Sequence, residues 1–234
     1  MIVPFLFGGL GRTTKVATPV PSDPYFSYVV ALLHMEGADA STTFTDQKGH
    51  TFTPGGNAQI DTAQFKFGSA SALFDGTGDY LTTPSNADWA FGAGDFTIEL
   101  WFRTAGTGPT QYLYENRAGT NSVARPLIYL GGTSLNYFVN GVTQINGGIV
   151  STNTWYHLAV ARSGTSTKMF LNGTQIGSTW TDNTNYSQGT LDIGIHYGHV
   201  NSGWNGWIDD LRITKGACRY ASNFTPPAAA FFDF

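Results

Sequence analysis

Apolar and polar residues alternate over residues 96–103. Phe96, Ile98, Leu100 and Phe102 fall on one side, and Thr97, Glu99, Trp101 and Arg103 on the other. A period of two puts successive side chains on opposite faces of a strand. Tyr156, Leu158 and Val160 alternate with Trp155, His157 and Ala159 in the same way. Residues 28–33 form a β-rich run, and residues 191–195 and 207–213 supply late strands. Two hairpins are marked by Asn-Gly pairs, at Asn140 and Gly141 and at Asn172 and Gly173, each between apolar runs. Asn-Gly accepts the positive φ angles of a type I′ turn. Amphipathic helical spacing is missing throughout. Many short strands joined by tight turns predict an all-β, two-sheet antiparallel sandwich. Two pairings follow from the alternation. Glu99 and Arg103 share a face and are expected to form an ion pair. Asp209 alternates with Leu211 and Ile213 and is expected to point into the core, where a buried carboxylate needs a partner.

Residues 1–27 break the pattern. Pro4, Pro19, Pro21 and Pro24 punctuate them and no periodicity holds. Proline fixes φ and lacks an amide donor, so this stretch is expected to be an extended arm, reaching on the order of 90 Å when fully stretched. Phe5, Leu6, Phe7 and Leu10 make its start apolar and are the residues expected to dock on a partner subunit; the alternative is a frayed terminus. No basic residue precedes this apolar stretch, as a secretory signal would require, and it is too short to span a bilayer. It is therefore expected to be part of the mature protein, with no membrane partner. Residues 28–227 form the predicted domain, and residues 228–234 an apolar C-terminal tail.

Composition narrows the function. A chain of 234 residues suits one large β domain, which needs no disulfide staples. The single cysteine, Cys218, cannot form an internal disulfide and is expected to be a small buried hydrophobe. A net charge of −4, with no run of basic residues, argues against nucleic acid as a partner. No nucleophile elbow, phosphate loop or zinc-protease motif is present.

Several phrases taken together resemble one family. They are residues 33–37 (Leu-His-Met-Glu-Gly), residues 68–81 around Leu73, Phe74, Asp75 and Gly76, residues 96–101, residues 155–162 from Trp155 to Arg162, residues 170–173, and residues 206–213 (Gly-Trp-Ile-Asp-Asp-Leu-Arg-Ile). Their order and spacing resemble the laminin-G-like, concanavalin A-like lectin/glucanase superfamily over residues 28–227. The resemblance implies a jelly roll of two antiparallel sheets packed face to face, and leaves function open, because this fold hosts lectins, hydrolases and packing domains.

The glucanases of this family set two carboxylates on one strand, and retaining hydrolysis needs a pair about 5 Å apart. Glu99 lies on the matching strand, but Trp101 and Arg103 are its same-face neighbours and a second carboxylate is missing. No catalytic residue is assigned. Sugar sites combine aromatic faces with polar loops. Trp101, Tyr112, Tyr114, Trp155, Tyr197, Trp204 and Trp207 are candidate aromatics, and the Gly-rich stretch 196–206 is the most site-like loop. Tyr197, His199, Asn201, Trp204 and Asn205 are the predicted glycan contacts, with Tyr197 and Trp204 at least half exposed; the alternative is that the aromatics cap the core.

Jelly rolls of the superfamily often hold a structural calcium between first and last strands. The resemblance implies Glu36, Asp39 and Asp209 as its oxygen ligands; the alternative for Asp209 is hydrogen bonding to backbone amides or pairing with Arg212. No other cofactor is implied. The ending, residues 214–220 and 223–227, is similar to versions of the domain carried by tailed bacteriophages. That likeness implies a non-catalytic virion protein: a head decoration, head fibre or tail-associated subunit on the particle surface. Its partners would be other virion proteins, met through residues 1–27, copies of itself, and a weakly held host polysaccharide. The alternatives are a soluble or cell-surface lectin, acting outside the cell, and a glucanase.

Overall fold

The computed structural model describes residues 22–117, 124–199 and 203–234. Phe5, Leu6, Phe7 and Leu10 of the apolar arm, and Asn201 of the candidate loop, lie outside these residues. The described chain is a β sandwich. In chain order its strands are β1 (Val29–Leu33), β2 (Phe44–Thr45), β3 (Thr51–Gly55), β4 (Gln59–Asp61), β5 (Ser71–Asp75), β6 (Tyr80–Thr83), β7 (Phe96–Thr104) and β8 (Gln111–Glu115). They continue with β9 (Leu127–Gly131), β10 (Ser134–Val139), β11 (Val142–Ile149), β12 (Trp155–Ser163), β13 (Ser166–Leu171), β14 (Thr174–Thr181), β15 (Leu191–Ile193) and β16 (Asn205–Lys215). Among the described residues the only helical pieces are two short 3-10 turns, Phe26–Tyr28 and Ala87–Trp89, and no helix is long and apolar enough to cross a membrane.

One sheet runs β14-β13-β12-β7-β16-β5-β4, with β1 also paired to β16; the other runs β11-β10-β9-β8-β15-β6-β3-β2. Every named pairing is antiparallel. The core lies between the sheets. Ile98, Leu100 and Phe102 of β7 meet Ile128 and Leu130 of β9 and Leu135 and Tyr137 of β10 there, all fully buried. Both Asn-Gly hairpins form as two-residue turns. Val139 pairs with Val142 and Leu171 with Thr174, and both turn residues take positive φ, 55° and 85° at Asn140 and Gly141 and 48° and 76° at Asn172 and Gly173.

The alternation in β7 has the predicted sidedness, yet its polar face is buried as well. The C-terminal segment covers it. Tyr220, Phe224 and Cys218 pack against Ala159, Ala161 and Phe170, and Phe231 joins Phe26, Val29 and Leu32 in a further small cluster. Cys218 is half-buried there rather than inside the main core. The amide of Asp23 donates to the carbonyl of Phe234 at 2.8 Å, so the two ends of the described chain meet. Asp23 and Phe231 are thus buried against the domain, and Phe26 is half-buried beside Phe231. Phe231 stays buried, whereas Phe232 and Phe234 are exposed.

A bulge in β16 redirects Asp209. It pairs with Trp101, but Arg212 pairs with Glu99, so three steps along β16 oppose two along β7. Asp210, the extra residue of the bulge, takes φ of 48°. Ile208, Leu211 and Ile213 all reach the core. Asp209 instead shares the opposite face with Trp101, and the inward orientation expected for it does not hold.

Candidate functional site

Three places on the sandwich gather chemistry-bearing side chains. The first is the tail-covered face around Glu99, which is fully buried. Arg212 donates through Nε to Glu99 Oε1 at 2.9 Å, Tyr220 donates its hydroxyl to Oε2 at 2.8 Å, and His157 Nε2 lies 3.2 Å from Oε2. Asp23 receives Arg212 at 3.0 Å and Arg219 at 2.7 Å. Burial pushes the Glu99 carboxyl up, but Arg212, His157 and Arg219 outweigh it and hold it at about 2. The expected partner Arg103 is engaged elsewhere, its guanidinium 4.7 Å from the Trp207 ring centre. A carboxylate locked in ion pairs beneath its own chain has neither the proton of a general acid nor access to a sugar.

The second place is an acidic cavity of about 320 Å³ lined by His34, Glu36, Asp209, Asp210 and Asp233 among others. Asp209 Oδ2 accepts the amides of Lys66 and Phe67 at 2.7 and 3.0 Å. Burial raises its carboxyl to about 7, with the charges of Asp210 and Glu36 adding to the shift against those two hydrogen bonds. Glu36 is taken up by Ser69, whose amide and hydroxyl donate at 2.9 and 2.7 Å. Asp39 accepts from the Thr62 amide at 3.2 Å and does not line the cavity. Glu36 and Asp209 thus share the cavity, and Asp39 stands apart from it. Among the described residues no group of three or more His, Cys, Asp or Glu side chains is placed to hold a metal ion.

The third place is the outer face of the second sheet. Register brings Tyr112 opposite Tyr129, and Phe138 opposite Leu127. His196 packs on Tyr112 with ring centres 4.8 Å apart, and Tyr112 lies 6.0 Å from Tyr129. Arg117 lies 5.1 Å from the Phe138 ring centre and 5.2 Å from that of Tyr197. It is oriented by Glu115, which accepts from its Nε at 2.8 Å and from its terminal amine at 2.7 Å. Tyr112, Tyr129, Phe138, His196 and Tyr197 are all half-buried. Tyr112, Tyr129, Phe138, His196 and Arg117 border a groove of about 240 Å³, and Tyr197 packs beside it on His196 and Arg117. Burial depresses the His196 ring below its ordinary value, more than the charge of Glu115 restores.

The predicted glycan contacts that are described, Tyr197, His199, Trp204 and Asn205, do not form one site. Trp204 is fully buried and meets Phe102 edge to face with ring centres 5.6 Å apart, so it caps the core and is not an exposed stacking surface. His199 is exposed and stacks on Tyr80, ring centres 3.8 Å apart, with its Nε2 3.4 Å from Asp192. Asn205 borders a different groove, beside Asp75, Gly76 and Thr77. Tyr197 alone joins the aromatic face of the second sheet. Tyr129 and Phe138, missing from the predicted set, are ordinary strand residues in the sequence. Only the pairing of β8, β9 and β10 sets them side by side.

Residues 75–220 match the family described as the concanavalin A-like lectin/glucanases superfamily. No curated protein matches the chain in sequence. Among solved structures, the botulinum neurotoxin serotype C1 binding domain is similar with a TM-score of 0.60 and 15% identity, over 82% of this chain and 50% of that chain. The binding domain of botulinum neurotoxin DC in complex with SialylT has a TM-score of 0.59 and 15% identity, over 82% and 49%. The same neurotoxin's binding domain in complex with rat synaptotagmin II has a TM-score of 0.57 and 15% identity, over 82% and 49%. The chain spans about half the length of these structures, and at such identity the likeness is one of fold.

Proposed function

Because the chain belongs to the concanavalin A-like lectin/glucanases superfamily, we propose that it is a non-catalytic, saccharide-binding β sandwich. The observation that carries this reading is Glu99. It stands on the strand that resembles the catalytic strand of the family's hydrolases, yet it is fully buried, with its oxygens taken up by Tyr220, His157 and Arg212. The fold likeness to neurotoxin binding domains supports binding over hydrolysis. Incubation of the full chain with laminarin and related β-glucans, beside a glycan array, tests the reading. Glycan retention without release of reducing ends is expected. Release of reducing ends that Glu99→Gln abolishes would overturn it.

Display on a virus particle is the companion proposal, with residues 1–27 as the attachment to other virion proteins or to further copies. It is supported by the apolar run that includes Phe5, Leu6, Phe7 and Leu10. The C-terminal segment lends no support, because it packs on its own domain. Antibody labelling of purified particles, with and without residues 1–21, is the test. A chain that is monomeric and absent from particles would sink this part of the proposal and leave saccharide binding standing.

A further inference from the structure

We infer that the outer face of β8, β9 and β10 is a binding site for an uncharged sugar ring, built from Tyr112, Tyr129, Phe138, His196, Tyr197 and the Arg117–Glu115 pair. The inference rests on the saccharide-binding reading and gives that reading a location and a ligand class.

Four observations carry it. Aromatic rings line the groove and are half-exposed, side by side on one sheet face. A ring face offers the C–H side of a sugar a flat apolar surface, while a hydroxyl or imidazole edge meets its hydroxyl groups. Tyr112, Tyr129 and His196 supply such polar edges within the same groove. The rings are also fixed in place. Tyr129 bonds through its hydroxyl to Thr143 at 3.0 Å, and His196 Nδ1 lies 2.8 Å from the Tyr197 carbonyl. Arg117 is gripped by Glu115 while lying over Phe138 and Tyr197. A preformed surface loses little freedom when a ligand arrives.

Charge then selects the ligand class. Arg117 and Glu115 pair at 2.7 Å, and burial disfavours the charged form of the His196 ring. The face therefore carries no excess charge with which to recruit a sialic acid, a uronic acid or a sulfate. The groove of about 240 Å³ sits just below the usual range for small-molecule pockets, a size for one sugar unit of a longer chain.

The experiment uses the full chain with cellotriose, laminaritriose and N-acetyllactosamine as uncharged probes and 3′-sialyllactose as the charged comparator. Binding is followed by calorimetry and by amide shifts in nuclear magnetic resonance spectra. An uncharged probe is expected to bind with a millimolar or better Kd and to shift amides of β8, β9 and β10. Tyr112→Ala and Tyr129→Ala should each weaken it roughly fivefold to tenfold, and Tyr129→Phe should restore most of the loss. The thermal midpoints of these variants should stay near that of the parent, separating lost contact from lost fold. An uncharged probe that binds with Kd unchanged in both alanine variants, shifting amides elsewhere, overturns the site and leaves the saccharide-binding reading intact. Binding of sialyllactose alone overturns the ligand class. Silence across the panel and across a glycan array overturns the reading and the site with it.

Discussion

Arg212 stands directly opposite Glu99 in the pairing of β16 with β7, and its Nε donates to Glu99 Oε1 at 2.9 Å. Removing one member of such a buried pair strands the other. Glu99→Gln is expected to cost about 3–5 kcal/mol, read as a lower urea midpoint at pH 7. The carboxyl sits at about 2 in the folded chain against an ordinary 4.5. Its contribution is whole above about 4.5, declines as pH falls and is gone below about 2. Glu99→Gln should therefore flatten the acid limb of the stability profile between those values.

His34 ties the tail down. Its Nδ1 lies 2.6 Å from Asp210 and its Nε2 2.8 Å from Asp233. Burial disfavours the charged ring, but the two carboxylates prevail and raise it to about 9 from 6.5. The stabilisation is complete below about 6.5 and fades as pH rises through about 9. The Phe231 ring resonances are expected to move toward random-coil positions between pH 8 and pH 10 (a range set by that raised value). In His34→Gln they should be shifted already at pH 7, with little further change.

Trp204→Ala is expected to act on stability. The ring is fully buried against Phe102, and emptying such a volume costs about 3–5 kcal/mol. Urea unfolding should show that loss, and at temperatures where the variant is folded its saccharide affinity should match the parent. An affinity loss without a stability loss would return Trp204 to the binding site.

Two turn glycines should respond unequally to alanine. Gly164 has φ of 57° and open space around a built Cβ, so Gly164→Ala should cost only about 1–2 kcal/mol of left-handed strain. Gly173, at φ of 76°, faces the backbone carbonyl of Phe224. Gly173→Ala must also push residues 224–226 away, and is expected to cost clearly more. Paired thermal melts of the two variants check the ordering.

The sandwich was legible because its signals are local. Asn-Gly turns and two-residue alternation each need only a few neighbouring residues, and both hairpins form as read. The site was not, because its causes are distant or small. One extra residue at Asp210 moves Asp209 from the expected core side to the other face. Glu99 finds its cation 113 positions away, at Arg212 rather than Arg103. Trp204 follows a Gly-rich stretch that suggests exposure, yet it is buried against Phe102 just before β16 begins. Tyr129 and Phe138 gain meaning only through sheet register, a property no single segment contains.

The hydrogen bond from Asp23 to Phe234 makes the sandwich nearly circular. In a chain shortened by residues 1–21, a short Gly-Ser bridge from Phe234 back to Ser22 would close the loop, and the polypeptide could then be opened at the exposed turn between Gly132 and Thr133. Such a circular permutant would carry its new ends on the β9–β10 connection. The same neighbouring ends suit the unit to being spliced whole into a surface loop of another protein.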